Sequence, residues 1–499
     1  MNPNPNTEAT SSPKSVIGAL GNIRPVYAAL TLLLLAAIFR LWYVTRMELV
    51  PDEAYYWLWS KHLALSYRDK GPIVAWAIAL GNWLFGDSVF GIRVCAVLFS
   101  TGTGWLLFQF ARRIQDSKTA LWTLVLASVV PMLAVGSLLM TIDAPSLFFW
   151  VWAMNVFWTA IESKKLWHWF GLGVLIGLGF LSKFTNGLQL MCIAMFLVWS
   201  KPHRSLLFSR QTVILIVGFS LTILPLIWWN MQTGWVHYLA LHSRSGVDSA
   251  FHIRPMQLLK FIGGVVGVVS PFIGFGMIAA IAGMLWKRHD DLRIRFLLSQ
   301  VLPVFGVFCF FSLNKAGKEN WPAPALLAGM ILTVAFWREL TARVPRWRWP
   351  VRIALGFGAL MTIVIHNTDY LHLPYKLEPL KRAQGWHDYA AHIQKARVES
   401  GATLLIGSDY SEASMMAYYL PDQPTTYLPK GPYGENQFTL WPTYSTNDHT
   451  RALYVTDRTK PPPSSVLRDF PRYKQVDDFW ALHKGRPMDR FIIYLCERD

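Results

Sequence analysis

The sequence predicts a helical protein that crosses a membrane many times and ends in a small α/β unit. Three observations carry this. Over 499 residues, 53% are hydrophobic and only 15% charged, with a mean hydropathy of +0.29, which is too apolar for a soluble chain of this size. Apolar runs approaching twenty residues recur along the chain, the length an α-helix needs to cross about 30 Å of hydrocarbon. The formal net charge of +17 is spread through short loops between those runs, which is the bias of membrane proteins and argues against nucleic acid as a partner.

Residues 1–24 are polar and form a tail before the first apolar run. That run has no small-residue cleavage site after it, so it reads as a retained anchor rather than a signal peptide. Candidate spans are 25–46, 88–111, 119–140, 145–161, 167–182, 186–200, 212–229, 258–286, 295–312, 322–337 and 351–367, about eleven helices. Loops rich in Lys and Arg, such as Arg112–Arg113, Lys164–Lys165, Lys201–Arg210 and Lys287–Arg293, fall on one side, which is therefore cytoplasmic. The expected organisation is a cytoplasmic tail (1–24), a membrane domain (25–367) with a large first exterior loop (47–87), and an exterior α/β domain (368–499). Within that loop a helix should open at Pro51, where proline and two acids suit a first turn. A second helix, PIVAWAIALGNWLFG, is expected to lie along the membrane surface. In the tail, Ala402–Ile406 has strand character and Glu412–Leu420 helix character. The four cysteines show no metal-like spacing and imply no disulfide framework.

Candidate chemistry gathers on the exterior side. Asp52 and Glu53 are adjacent, and neighbours on a helix diverge by about 100°, so they cannot serve one reacting atom together. Asp52 is assigned to the site and Glu53 to holding the loop or an ion; the plain alternative is that Asp52 caps a helix. Arg68, Asp69 and Lys70 follow in the same loop. Asp143 lies in a short turn between two spans, where an ionisable group is costly unless it meets water, a partner or a substrate; capping the next helix is its plain alternative. Lys183, Lys315 and Lys318 occupy further exterior turns. Together with Lys70 and Arg68 they would suit a lipid-linked phosphate, although lysines at helix ends also snorkel to the interface. Tyr55, Glu319 and Trp321 are read as supporting residues.

The segments PDEAYYWLWSKHLALSYRDKGP (51–72), TIDAPSLFFW (141–150), LSKFTNG (181–187) and KENWPAP (318–324) resemble the bacterial family 39 glycosyltransferases and, more distantly, the lipid A aminoarabinose transferase. The tail segment 407–442 resembles their periplasmic domain. The resemblance implies a GT-C fold and a polyprenyl-phosphate sugar donor, undecaprenyl-linked in a bacterium. It further implies inverting transfer to an envelope acceptor (lipid A, a glycan, a lipid or a protein) at the periplasmic face of the inner membrane. Asp52 matches the essential acid of the first loop and Asp143 the acid of the second exterior loop. Lys70 stands where aminoarabinose-type enzymes have Glu-Lys-Pro-Pro and many family members Asp-His-Pro-Pro, but this chain has Asp69-Lys70-Gly71-Pro72, which departs from both.

On this reading Asp52 takes the proton of an acceptor hydroxyl while Lys70, helped by Lys183 or Lys318, stabilises the departing phosphate. No Gly-rich phosphate loop calls for a nucleotide. A divalent metal near Asp52, Asp69 or Asp143 is conceivable but has no ligand spacing behind it. The rival from another class is a lipid or sugar transporter or flippase, which predicts paired broken helices near mid-membrane and little need for an exterior domain.

Overall fold

The structure is a computed structural model and describes residues 13–239, 252–373, 375, 378–431, 436–446 and 449–498, with side chains described from Arg24 onward. It is mainly helical, with a four-stranded sheet at the C-terminal end. Among the described residues, seven helices are long and apolar enough to cross a membrane: Arg24–Arg46, Val89–Ile114, Asp143–Ser163, Arg210–Gln232, Leu292–Ser312, Ala323–Arg343 and Pro345–His366. An eighth span is reached only if Pro255–Val269 and Pro271–Arg288 are counted as one.

The sequence reading of about eleven spans is corrected by the way apolar runs are broken. The run expected at 119–140 divides at Pro131 into α5 (Ser117–Ser128) and α6 (Pro131–Gly136), and the chain then winds without helix to Asp143. The runs at 167–182 and 186–200 form α8 (Leu166–Ser182) and α9 (Leu188–Trp199), both shorter than a full span. The run at 258–286 is two helices, α11 (Pro255–Val269) and α12 (Pro271–Arg288), bent by 112°. Ser270 turns that corner at φ 92°, and Pro271 starts the new helix at a position where its missing N–H costs nothing.

The remaining helices of the bundle are α1 (Pro13–Tyr43), α4 (Val89–Ile114), α7 (Asp143–Ser163), α10 (Arg210–Gln232), α13 (Leu292–Ser312), α14 (Ala323–Arg343) and α15 (Arg348–His366). Between α1 and α4 lie α2 (Pro51–Lys61) and α3 (Ile73–Phe85). Apolar side chains of α4, α7, α8, α9, α13 and α14 form the bundle core, with Trp150, Trp169, Phe196 and Phe296 fully enclosed. Close helix approach is made by small residues: a Cβ on Gly173 of α8 would stand 2.0 Å from the carbonyl of Leu215 on α10.

The C-terminal sheet has the order β1–β2–β4–β3, with β1 (Leu404–Gly407) parallel to β2 (Arg451–Thr456) and the long hairpin β3 (Arg472–His483) and β4 (Arg486–Glu497) antiparallel. Lys484 and Gly485, both at positive φ, make the two-residue turn whose twist suits a hairpin. Helices α16 (Trp386–Ser400) and α17 (Tyr410–Tyr419) pack beside the sheet. The strand and helix read at 402–406 and 412–420 correspond to β1 and α17.

This sheet region does not stand apart from the bundle. Tyr55, Trp57 and Trp59 of α2 share one apolar core with Trp386, Met416, Phe438 and Leu453. The first loop is therefore the layer between membrane helices and sheet, and anything it presents is addressed from both sides.

Candidate active site

The site begins with a buried ion pair. Glu53 and Arg93, both with fully buried side chains, are joined by two hydrogen bonds: Nε to Oε1 at 2.8 Å and Nη2 to Oε2 at 2.6 Å. Arg93 also donates to the carbonyls of Val44, Met47 and Glu48, while Glu53 accepts the backbone N–H groups of Val50 and Met140. Every strong hydrogen-bonding atom of the pair is thereby engaged, which is what makes a charge pair tolerable at such depth. The pair ties the loop after α1, the start of α2 and the stretch before α7 to α4. Glu53 thus holds the loop, and its carboxylate is turned away from the cavity that its neighbour faces.

That cavity has a volume of about 710 Å³ and is lined by Asp52, Lys70, Asp143, Lys183, Lys318 and Trp321 together with Arg40, Tyr56, Asn320 and Arg382. Its polar end is closed by two carboxylates with different company. Asp52 accepts from Arg382 Nη2 at 2.9 Å and from the Tyr410 hydroxyl at 3.3 Å, both from the C-terminal region, and its side chain remains 31% exposed. Asp143, at the start of α7, accepts from Lys183 Nζ at 2.6 Å and Asn320 Nδ2 at 3.0 Å. Lys183 also donates to the Asn320 carbonyl at 3.3 Å and is buried. From this polar end the cavity continues between Leu33 and Ala36 of α1, Leu107 of α4, Leu124 of α5 and Leu327 of α14, an apolar trough of the kind an acyl or isoprenoid tail fills.

Lys70 reaches the cavity because Gly71 lets the loop press against the end of α8: a Cβ there would lie 1.8 Å from the Leu181 carbonyl oxygen. Glycine at this position is thus a requirement of close backbone approach. Tyr56 is 5% exposed and lines the cavity, and its hydroxyl has no hydrogen-bond partner among the described residues. Burial first, and then the charges of Asp52, Tyr410, Asp69 and Asp143, hold its phenol well above the usual range, so it faces the cavity as an O–H donor. Burial and Asp52 do the same to Tyr410.

Four residues assigned to the site from sequence stand elsewhere. The Arg68 guanidinium turns to the C-terminal region and donates to Thr439 Oγ1 at 3.0 Å, away from the cavity, so its phosphate-binding assignment is withdrawn. Asp69 is buried and accepts the Tyr55 hydroxyl at 2.7 Å, while the Tyr55 ring stacks on Phe438, so both serve the seam between loop and sheet. Glu319 packs against α11, where a Cβ on Gly264 would be 2.5 Å from its Cγ. Among the described residues no three of His, Cys, Asp and Glu gather as metal ligands. Asp52 and Asp143 face cations and amide or phenol donors instead. Arg93, Arg382, Tyr410, Tyr56, Asn320 and Arg40 were not singled out from sequence.

The family described as dolichyl-phosphate-mannose-protein mannosyltransferase matches residues 69–229. The lipid A galacturonosyltransferase RgtD of Rhizobium johnstonii is 26% identical over 442 residues, covering 85% of this chain and 90% of the relative. An undecaprenyl phosphate-alpha-4-amino-4-deoxy-L-arabinose arabinosyl transferase of Pseudomonas paraeruginosa is 26% identical over 311 residues, 56% of this chain; the chain spans about half (53%) of that relative's length. Among solved structures, ArnT from Cupriavidus metallidurans in the apo state superposes with a TM-score of 0.60 at 15% identity, covering 93% of this chain and 97% of that one. The same protein bound to undecaprenyl phosphate gives 0.59 at 16% identity, covering 94% and 97%. At such identity these two structures show a shared fold.

Proposed function

We propose that this chain, a membrane glycosyltransferase of the mannosyltransferase family matched above, transfers a sugar with inversion from undecaprenyl phosphate to an acceptor of the bacterial cell envelope. One observation carries the reading: a single cavity presents Asp52, Lys70 and Lys318 at its polar end and opens into an apolar trough. A polyprenyl phosphate sugar has the same two-part character, an anionic head on a long hydrocarbon tail. The arabinosyl relative supports a lipid-linked donor, and the galacturonosyl relative supports lipid A as acceptor.

In the proposed step an acceptor hydroxyl attacks the anomeric carbon from the face opposite the phosphate. The carbon–oxygen bond to phosphate breaks with its electron pair leaving on the carrier, and Asp52 accepts the hydroxyl proton. Arg382 and Tyr410 fix the orientation of the Asp52 carboxylate. Lys70 and Lys318 stabilise charge growing on the departing phosphate, acting where water is displaced by the substrate. Lys183 is committed to Asp143, and this pair with Asn320 shapes the opposite wall rather than supplying the main phosphate contact.

The proposed side of the membrane is the periplasm. Asp143 opens α7 and Lys183 follows α8, whereas Lys164 and Lys165, from the basic face, lie at the other ends of the same two helices. The positive-inside bias then places the cavity outside. The proposal also keeps the division into an N-terminal tail, a membrane domain to about residue 367 and a periplasmic region beyond it. Purified protein in liposomes, supplied with labelled undecaprenyl phosphate sugars and an envelope lipid extract, should form labelled glycolipid or glycan in a manner abolished by Asp52→Asn. Equal product from wild type and variant would remove Asp52 from the chemistry.

A further inference from the structure

The charges around the cavity do not balance with one phosphate. Five cationic side chains line it, Arg40, Lys70, Lys183, Lys318 and Arg382, against the two carboxylates Asp52 and Asp143. Lys183 and Arg382 are matched by those carboxylates. Of the others, Arg40 and Lys318 pair with no described Asp or Glu, and the phosphodiester of a sugar carrier brings a single negative charge.

Arg40 is where the excess is most exposed. It belongs to the membrane span Arg24–Arg46, about two turns inside its end. The wall beside it is apolar, formed by Leu33 and Ala36. Its one hydrogen bond among the described residues is a long contact with Ser100 Oγ, 3.4 Å, and no described Asp or Glu pairs with it. A guanidinium in such surroundings is costly unless an anion completes it, and a planar fork of donors suits a carboxylate or a phosphate. Arg93, at comparable depth, shows the contrast, since every one of its nitrogens is committed within the protein.

We infer that Arg40 is the subsite for a second anionic group, which enters the cavity beside the carrier phosphate. The inference rests on the carrier reading above. The group's chemistry is a carboxylate or phosphate, and it has two sources: an acidic sugar on the donor, or a phosphate on the acceptor lipid. Either would explain a cavity more basic than one phosphodiester requires, and either would make Arg40 a selector of substrates.

The test is binding to full-length protein in nanodiscs, in the wild type, Arg40→Gln and Arg40→Lys. Two ligand pairs are compared, each differing in one anionic group. The first is polyprenyl phosphogalacturonate against polyprenyl phosphogalactose; the second is diphosphorylated against monophosphorylated lipid A. In the wild type the member of one pair that carries the extra anionic group should bind at least tenfold more tightly than the member that lacks it. Arg40→Gln should bring that ratio close to one, and Arg40→Lys should restore part of it. A response in the sugar pair puts the second anion on the donor, and a response in the lipid pair puts it on the acceptor. Ratios unmoved in both pairs overturn the inference. So does a tenfold loss of binding to polyprenyl phosphate itself in Arg40→Gln, because Arg40 would then serve the carrier phosphate. Unfolding midpoints of the variants verify that each remains folded. Since binding is read without turnover, ligands that bind but are never transferred count against the transferase reading and leave this one standing, whereas failure of all four to bind wild type removes both.

Discussion

Two walls of one cavity each offer a carboxylate, and they are built differently. The Asp143 wall is made inside the helix bundle: its carboxylate is held by a buried lysine and an asparagine, both from turns between helices. The Asp52 wall is assembled from opposite ends of the chain, with Arg382 and Tyr410 reaching over from beyond the last span to meet the first loop. Asp143 is bound by a buried lysine in its own layer and has 22% of its side chain exposed, while Asp52 is bound by a half-exposed arginine and has 31% exposed. On the proposed mechanism Asp52 is the acid that meets the substrate, whereas Asp143, locked to a buried ammonium, shapes the space around it.

The sharpest way to break this comparison is to neutralise each acid in turn. Asp52→Asn should lower transfer by about 10³-fold, or about 4 kcal/mol of activation free energy, with the fold intact. Asp143→Asn should chiefly destabilise, by about 2–5 kcal/mol, because it leaves Lys183 buried without its counter-charge. The double variant Asp143→Asn with Lys183→Met should recover part of that loss in thermal or denaturant unfolding. Turnover that falls as steeply in Asp143→Asn as in Asp52→Asn would erase the distinction.

A comparable loss of stability is expected beneath the Asp52 wall. Arg93→Met removes one partner of the fully buried pair with Glu53 and should cost about 3–5 kcal/mol in unfolding free energy. Its effect on turnover should follow from loosening of the Pro51–Lys61 helix, and so should appear at elevated temperature before it appears in the cold.

Smaller effects sharpen the picture. Tyr56→Phe deletes a cavity-facing O–H and should reduce kcat/KM by about tenfold, the size of one well-placed hydrogen bond, without lowering the unfolding midpoint. A pH effect should be confined to the region carrying Tyr410. Burial is the main cause that raises the Glu412 carboxyl from 4.5 to about 8. The folded state therefore binds a proton that the unfolded chain has released. Its contribution is complete below the unfolded value and is lost as pH rises through about 8. Midpoints should fall by a few degrees between pH 5 and 9, and Glu412→Gln, which still accepts the Asp409 N–H, should flatten that fall. An unchanged slope would show that Glu412 does not govern this end of the fold.

How much of this was readable from sequence depends on the distance over which each contact is made. The divergence of Asp52 and Glu53 follows from helix geometry between neighbours, and the structure indeed turns one to the cavity and the other to Arg93. The membrane class was legible because lipid imposes length and apolarity locally. Span number was not, since Pro131 and Ser270 interrupt runs whose composition looks continuous. Arg382 and Tyr410 lie more than three hundred residues from Asp52, and nothing in their local pattern points back to it. Arg93 does carry a local signal, since an arginine within an apolar run demands a buried partner or a substrate. Arg68 misled because clustering in sequence says nothing about which way a loop side chain faces.

In the proposed mechanism a carrier head lies between Asp52 and Lys70 with its tail along the trough. Photoactivatable polyprenyl phosphate, with one reactive group near the phosphate and another in the tail, offers the most direct measurement. After irradiation in liposomes and peptide mapping, head-group labelling should fall on 52–70 and 318–321, and tail labelling on 32–36, 107 and 327. Excess unlabelled polyprenyl phosphate should compete both away. Labelling spread over the outward faces of the bundle, or head-group label confined to the basic side at Lys164–Lys165, would contradict it.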